Sequence, residues 1–357
     1  MRLLFVFLLA LAAVPVAAEE PKLTAEQVVS LAITEAIRPG FAQYAVETTG
    51  LERDVAALCG TPSEATLAAA RTQFKAAVTA WSRVELYRLG PLMVENRYDK
   101  VLFWPDRKGI ALKQVQGVLA NAEPDATDPG KLGNKSVAMQ GLGALEFLLF
   151  GTGAEQLTSA DGDFRCRYAR AITTLQAATA ATLSSEWNDP EGISKRLLAP
   201  SESDPDYRSF REVAEALTGL LAHGTETVRD QRLLPFLGRD GAAAKPKSAL
   251  FWRSDMTVPS IVANFEGLQA LLEKSRIAEA VPADQLWVAN SASFEFGNAE
   301  RAGKAVTAPL EQALTDPKQK KALDYLVIVT QSLDTILGEN LAAALGLSVG
   351  FSSLDGD

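Results

Sequence analysis

The chain has 357 residues, of which 44 are acidic and 35 basic, giving a formal net charge of −9 and an isoelectric point near 5.0. Such a surface repels phosphate backbones and anionic lipid, so nucleic acid is excluded as a partner class. A single histidine makes a Ser-His-Asp triad, a Cys-His pair or an HExxH zinc site hard to assemble.

The first 18 residues read as a signal peptide. Arg2 supplies a positive start, Leu3 to Ala13 a short apolar stretch, and Val16-Ala17-Ala18 the residues after which signal peptidase cuts. That stretch is well short of the roughly 20 apolar residues that span a bilayer, and no cysteine follows it to carry a lipid. The expected mature chain is therefore periplasmic, has no integral membrane span, and loses Arg2, taking its formal charge from −9 to −10.

Strand-like alternation is nearly absent, and the sequence predicts an all-α fold. The first helix is expected over 24–58. A second starts at Thr61-Pro62-Ser63-Glu64, with Thr61 as N-cap, Pro62 at the first helical position and Glu64 completing a capping box. It runs on to Leu89, where Gly90-Pro91 stops it. Further helices are expected over 134–149, 164–187, 207–234, 257–274, 284–306 and 317–345. No GxxxxGKS/T loop is present to hold phosphates.

Two helical-bundle domains are expected, residues 19–190 and 206–357, because about 340 residues exceed what one core usually supports. The stretch 189–206, with Pro190, Pro200 and Pro205, divides them, whereas 238–247 reads as a loop inside the second. Gly141-Leu142-Gly143-Ala144-Leu145 and Gly267-Leu268-Gln269-Ala270-Leu271 share the pattern GLxAL, which fits either a duplicated bundle or chance. Cys59 and Cys166 in an oxidising compartment read as one disulfide, with two buried free thiols as the alternative.

Two carboxylates fall where charge is expensive. Phe74, Val78, Trp81, Glu85 and Arg88 recur at helical spacing and form one stripe, so Glu85 extends an aromatic core face. Glu146 is the only charge between Ser136 and Phe150, in a segment apolar nearly all round. A buried carboxylate needs a partner or becomes protonated. Either Glu146 pairs structurally with Arg83 or Arg88, or Glu146 and Glu85 line a small polar pocket that holds a cation or polar ligand.

These residues resemble the imelysin-like family, also classed as M75 peptidases. Its GxHxxE signature aligns with Gly141-Leu142-Gly143-Ala144-Leu145-Glu146, where Gly143 stands in place of the histidine. The resemblance extends to Ala80-Trp81 through Glu85, Gly90-Pro91, Trp104-Pro105-Asp106, Arg165-Cys166-Arg167-Tyr168, and the ending Gly350-Phe351 to Asp355-Gly356-Asp357. It implies two related helical bundles in an exported protein tied to iron or other metal acquisition. It also implies a ligand pocket formed by Trp81, Glu85, Arg88, Gly141, Gly143 and Glu146, with Glu146 and Glu85 as metal ligands and a divalent metal or iron as the ligand. Metal-uptake or cell-envelope proteins are the partners it implies.

With glycine at the histidine position, metal-dependent hydrolysis loses its ligand. The expected function is that of a non-peptidase binding or accessory protein of metal acquisition, with a partner-docking scaffold of the cell envelope as the alternative and a metal-dependent peptidase after that. His223-Gly224-Thr225-Glu226 also spells HxxE, but two ligands make a weak site. Lys318 to Lys321 reads as a solvated face, and the terminal Asp355-Gly356-Asp357 as acidic oxygen donors on a frayed tail.

Overall fold

The computed structural model describes residues 21–106, 108–238 and 242–347. The expected signal peptide and the acidic C-terminal tail lie outside them.

The described residues hold helices and turns with no strand. Helix α1 combines Ala25–Leu31, a π-helical Ala32–Ile37 and Arg38–Gly60. It starts at a capping box in which Thr24 and Gln27 satisfy one another's backbone N–H groups. Helix α2 spans Glu64–Val84. Its N-cap is Ser63, not the expected Thr61: Thr61 ends α1, and the Ser63 hydroxyl accepts from the Thr66 N–H. The expected extension to Leu89 stops at Val84, so Glu85 is the C-cap residue.

Helix α3, Ile110–Asn121, was not marked by sequence periodicity; Asp106 starts it by accepting from the N–H groups of Ile110 and Ala111. Helix α4, Leu142–Phe150, is the remnant of the helix expected over 134–149. Its first half is a turn, Val137–Met139, capped by Ser136, and extended backbone at Gly141 resets the chain. Helix α5 is Asp163–Asn188. The stretch 189–206 joins it to α6 and contains a short helix, Ile193–Leu198, whose Arg196 grips Asp204 and Asp206, both at 2.7 Å.

Helix α6 runs through Phe210–Thr227, a π-helical Val228–Leu233 and Leu234–Leu237. Helices α7, Thr257–Lys274, and α8, Leu286–Lys304, follow. Helix α9 combines Pro317–Asp334, a π-helical Thr335–Leu341 and Ala342–Ala344.

The Arg38–Gly60 part of α1 packs on α2 and α5, and α4 sits among α2, α3 and α5. In the second half α6, α7, α8 and α9 pack on one another. The two halves meet where α2 lies against α7, and the first turns of α1 pack on α6 and α7. One continuous apolar core runs through both. The α2–α7 approach depends on Gly267, where a Cβ would stand 2.1 Å from the Arg83 carbonyl oxygen. Nearby, the Tyr87 hydroxyl donates to the Gly267 carbonyl at 2.6 Å.

Cys59 at the end of α1 and Cys166 in the first turn of α5 form a disulfide that closes a 107-residue separation. No described helix is long and apolar enough to cross a membrane.

Candidate functional site

Helix α4 is short and buried on nearly every side, so its terminal backbone groups need partners. At its start a Cβ on Gly141 would stand 2.7 Å from the Val101 carbonyl oxygen, so glycine permits the close approach. At its end Arg165 donates to the carbonyls of Phe147 at 2.7 Å, Leu148 at 2.8 Å and Thr152 at 2.9 Å. Arg71 donates to the Leu149 carbonyl at 2.8 Å. Two arginines thus fill orphan acceptors and sit at the negative end of the helix dipole. Burial lowers the Arg165 pKa to about 10, with Glu155 opposing.

Glu146, 3% exposed, projects from this anchored helix. Its Oε1 accepts from the Ser254 main-chain N–H at 2.9 Å and from the Ser254 hydroxyl at 2.8 Å. Neither Arg83 nor Arg88 pairs with it: Arg83 bonds Glu266 at 2.7 Å, and Arg88 donates to the Tyr98 hydroxyl at 2.6 Å. Burial pushes the Glu146 carboxyl above its ordinary value of 4.5, opposed by the Ser254 bonds and by the charge of Arg253. Burial likewise lowers the Arg253 pKa, with Glu146 opposing.

The turn that presents Ser254 is strained. Phe251 has φ 57° and Asp255 φ 58°, left-handed conformations that cost non-glycine residues about 1–3 kcal/mol each. The Ser254 hydroxyl also bonds the Phe251 carbonyl, and Met256 N–H closes back on that same oxygen.

Glu146 and Gly143 share one face of α4, three residues apart, and both line a cavity of about 480 Å³. A Cβ on Gly143 would meet no atom within 4 Å, so the missing side chain leaves open space beside Glu146. The remaining walls come from residues 102–106, α3, the end of α6 and the loop 245–253. Trp104 is fixed there by donating its indole N–H to the Gln231 carbonyl at 2.8 Å.

Glu85 belongs to a different cluster. It and Arg232 are each 1% exposed in their side chains and form an ion pair of 2.8 Å. Asn264 adds a hydrogen bond to its other oxygen at 2.7 Å while also donating to the Ser82 carbonyl. Arg232 lies in the π-helical segment of α6; burial works to lower its pKa, but Glu85 and Tyr98 together leave it raised. Trp81 is buried nearby, its ring 5.8 Å from that of Tyr98.

Of the residues expected to share a pocket, only Gly143 and Glu146 line the cavity; Trp81, Glu85, Arg88 and Gly141 do not. Glu146 is held by Ser254 and Glu85 by Arg232 and Asn264, so the two carboxylates do not share a coordination shell. Among the described residues no group of three His, Cys, Asp or Glu side chains could hold a metal ion. This donor set does not fit a bare divalent ion. His223 contacts Glu226 at 3.2 Å, with no third His, Cys, Asp or Glu among the described residues to complete a metal site.

Arg232, Ser254 and Asn264 all come from the second half of the chain and were not singled out by sequence. Arg232 sits in a helix whose π turn shifts the register, and Ser254 is aimed by left-handed turn residues that leave no periodic trace. Asn264 occupies a buried position of α7 whose polar character was the one available signal.

Compared with known proteins, residues 37–337 match the imelysin (peptidase M75) family. The chain is 22% identical over 302 residues to Iron-regulated protein A of Synechococcus elongatus, an alignment covering 82% of this chain and 78% of that protein. Its fold is shared with an imelysin-like protein of Psychrobacter arcticum, with TM-score 0.76 and 20% identity over 93% of this chain and all of the other. It is also shared with a structure named for an iron-regulated protein A precursor of Parabacteroides distasonis, with TM-score 0.74, 13% identity and coverage of 92% and 98%.

Proposed function

Because the chain belongs to the imelysin family, we propose that it is an exported binding protein of metal acquisition, with iron as the metal concerned and without peptidase activity. The observation that carries this reading is the cavity with Glu146 held at its wall and open space at Gly143 beside it. Small-ligand sites are concave and mostly apolar, with a few fixed polar groups, and backbone strain like that around Ser254 concentrates at such sites. The association with iron comes from relatives whose names include iron-regulated protein A. Export is supported by the signal-like first 18 residues and by the disulfide, a bond that persists in oxidising compartments.

Peptidase chemistry of the metal type calls for three protein ligands around an activated water, and Glu146 stands beside a glycine rather than a histidine. Purified protein is expected to leave peptides uncut with zinc or iron added; cleavage abolished by a chelator and by Glu146→Ala would overturn that part. In a strain lacking the gene, growth under iron limitation should fail and be restored by the parent chain. Gly143→Phe places a ring in the open space that a Cβ there would enter without contact, and with its helix content verified by dichroism it should not restore growth. Full rescue by that variant would detach the function from the cavity.

A further inference from the structure

We propose that the Glu146 cavity takes a planar organic anion, an aryl carboxylate bearing a hydroxyl, rather than a bare metal ion. This rests on the binding-protein reading above and names its ligand class. The charged side chains lining the cavity are Asp106, Asp230, Glu146, Lys245, Lys247 and Arg253. Every acid among them is engaged. Asp106 accepts from two N–H groups at the start of α3, Asp230 pairs with Arg229 at 3.1 Å, and Glu146 accepts twice from Ser254.

The cations are not. Lys245, Lys247 and Arg253 make no side-chain hydrogen bond or close ion pair with any described residue; Lys247 and Arg253 lie against ring faces, and Arg253 also feels the charge of Glu146. Arg253 lies 4.4 Å from the centre of the Trp252 ring and 5.4 Å from that of Phe147, and the Lys247 ammonium lies 5.7 Å from Trp252. In a chain of net charge −9, three cations without a hydrogen-bonded carboxylate, gathered on one cavity whose acids are already engaged, attract and orient an anion.

The walls set the body of that anion. Trp104, Trp252, Phe147 and Phe251 line the same space, and flat aromatic faces favour a flat apolar ligand. Arg253, over the Trp252 and Phe147 rings, has guanidinium N–H groups without a side-chain hydrogen bond to a described residue, and these suit a carboxylate. Both Ser254 bonds fall on Oε1 of Glu146, and although the Arg253 main chain also bears on the carboxylate, its two oxygens have about four lone pairs and so keep acceptor capacity for a hydroxyl on the ligand. A bare cation would face three positive side chains, and the three carboxylates of the lining are already engaged.

The test is calorimetry of the purified mature protein with 3-hydroxy-2-naphthoate, its neutral counterpart 2-naphthol, and the cation 2-naphthylmethylammonium. The acid should bind at least about tenfold more tightly than either, a difference typical of one well-placed charge contact, and should weaken as salt rises. Lys247→Gln combined with Arg253→Gln should weaken the acid by about tenfold or more and leave 2-naphthol unchanged. Lys247→Gln alone, at an exposed rim position, serves if the pair of substitutions perturbs folding. Equal or better binding of the neutral or cationic probe, or an unaltered acid affinity in the variants, overturns the anion proposal while the binding-protein reading stands. Failure of all three probes to bind overturns the cavity as a ligand site, and this proposal with it.

Discussion

At the scale of single residues, Glu146 is the charge whose surroundings oppose it. Its folded pKa is raised by burial above 4.5, so the folded chain holds a proton that the unfolded chain has released over the interval between the two values. Stability is therefore full below the ordinary carboxylate range and is lost as pH rises through the folded value. Glu146→Gln keeps the oxygen that accepts from Ser254 and abolishes this slope. Urea titrations should find the variant more stable than the parent near pH 8, by about 1–3 kcal/mol, the usual cost of desolvating a buried polar group, and equal to it near pH 4. Parallel curves for parent and variant would remove the burial argument. Sequence periodicity located Glu146 and Glu85 correctly as buried charges, because a lone carboxylate in an apolar helical stretch is legible without a structure. Their partners were not legible: Ser254, Arg232 and Asn264 lie 108, 147 and 179 residues away, and pairing at that range is set by packing rather than by spacing.

At the scale of elements, two glycines in matching GLxAL patterns hold close approaches for different neighbours. Gly267 lets α2 and α7 touch, since a Cβ would meet the Arg83 carbonyl at 2.1 Å, whereas Gly143, two residues beyond the matching Gly141, faces open space. Gly267→Ala should cost about 1–3 kcal/mol by overpacking, and Gly143→Ala should gain about 0.5–1 kcal/mol from helix propensity. Thermal melts of both variants check the opposite signs, and a loss at Gly143 would mean that its space is not idle. The disulfide links α1 to α5 across 107 residues. On the chain-entropy account it stabilises by about 4–5 kcal/mol, so Cys59→Ser with Cys166→Ser should lose most of that. Alkylation followed by intact mass should label two thiols after reduction and none before it; labelling of the unreduced, denatured chain would contradict the bond. Helix positions were readable from apolar periodicity, but the start of α4 was not. Its expected N-terminal half is turn, because Ser136 caps a separate segment and Gly141 adopts extended backbone. Sequence spacing does not register such a reset.

At the scale of the whole molecule, residues 19–190 and 206–357 stay our proposed units, and polar locks join them over a shared apolar core. Glu85 with Arg232 and Asn264, Glu146 with Ser254, Tyr87 with the Gly267 carbonyl and Trp104 with the Gln231 carbonyl all join the first half to the second. Removing one partner from a buried ion pair costs about 3–5 kcal/mol, so neither half is expected to open alone. Far-ultraviolet dichroism and tryptophan fluorescence should report one coincident unfolding transition, whereas two separated transitions would mean that the halves are independent. The all-helical architecture was legible because each helix carries its own pattern. The crossing of the first turns of α1 onto α6 and α7 was not, since a helix does not announce which bundle its end will join.

The separation between Glu85 and its partner Asn264 also sets a schedule. A ribosome adds about 5–20 residues per second, so the 179 positions between them correspond to roughly 10 to 35 s of synthesis. For most of that interval, until Arg232 is added 147 positions after Glu85, the leading half carries a carboxylate destined for its core with no group to neutralise it. Burying that charge unpaired would cost several kcal/mol, which disfavours early closure of the surfaces that meet α6 and α7. The final core therefore cannot be completed from the leading half alone, and the growing chain reaches its closed form only when the trailing half supplies the missing donors.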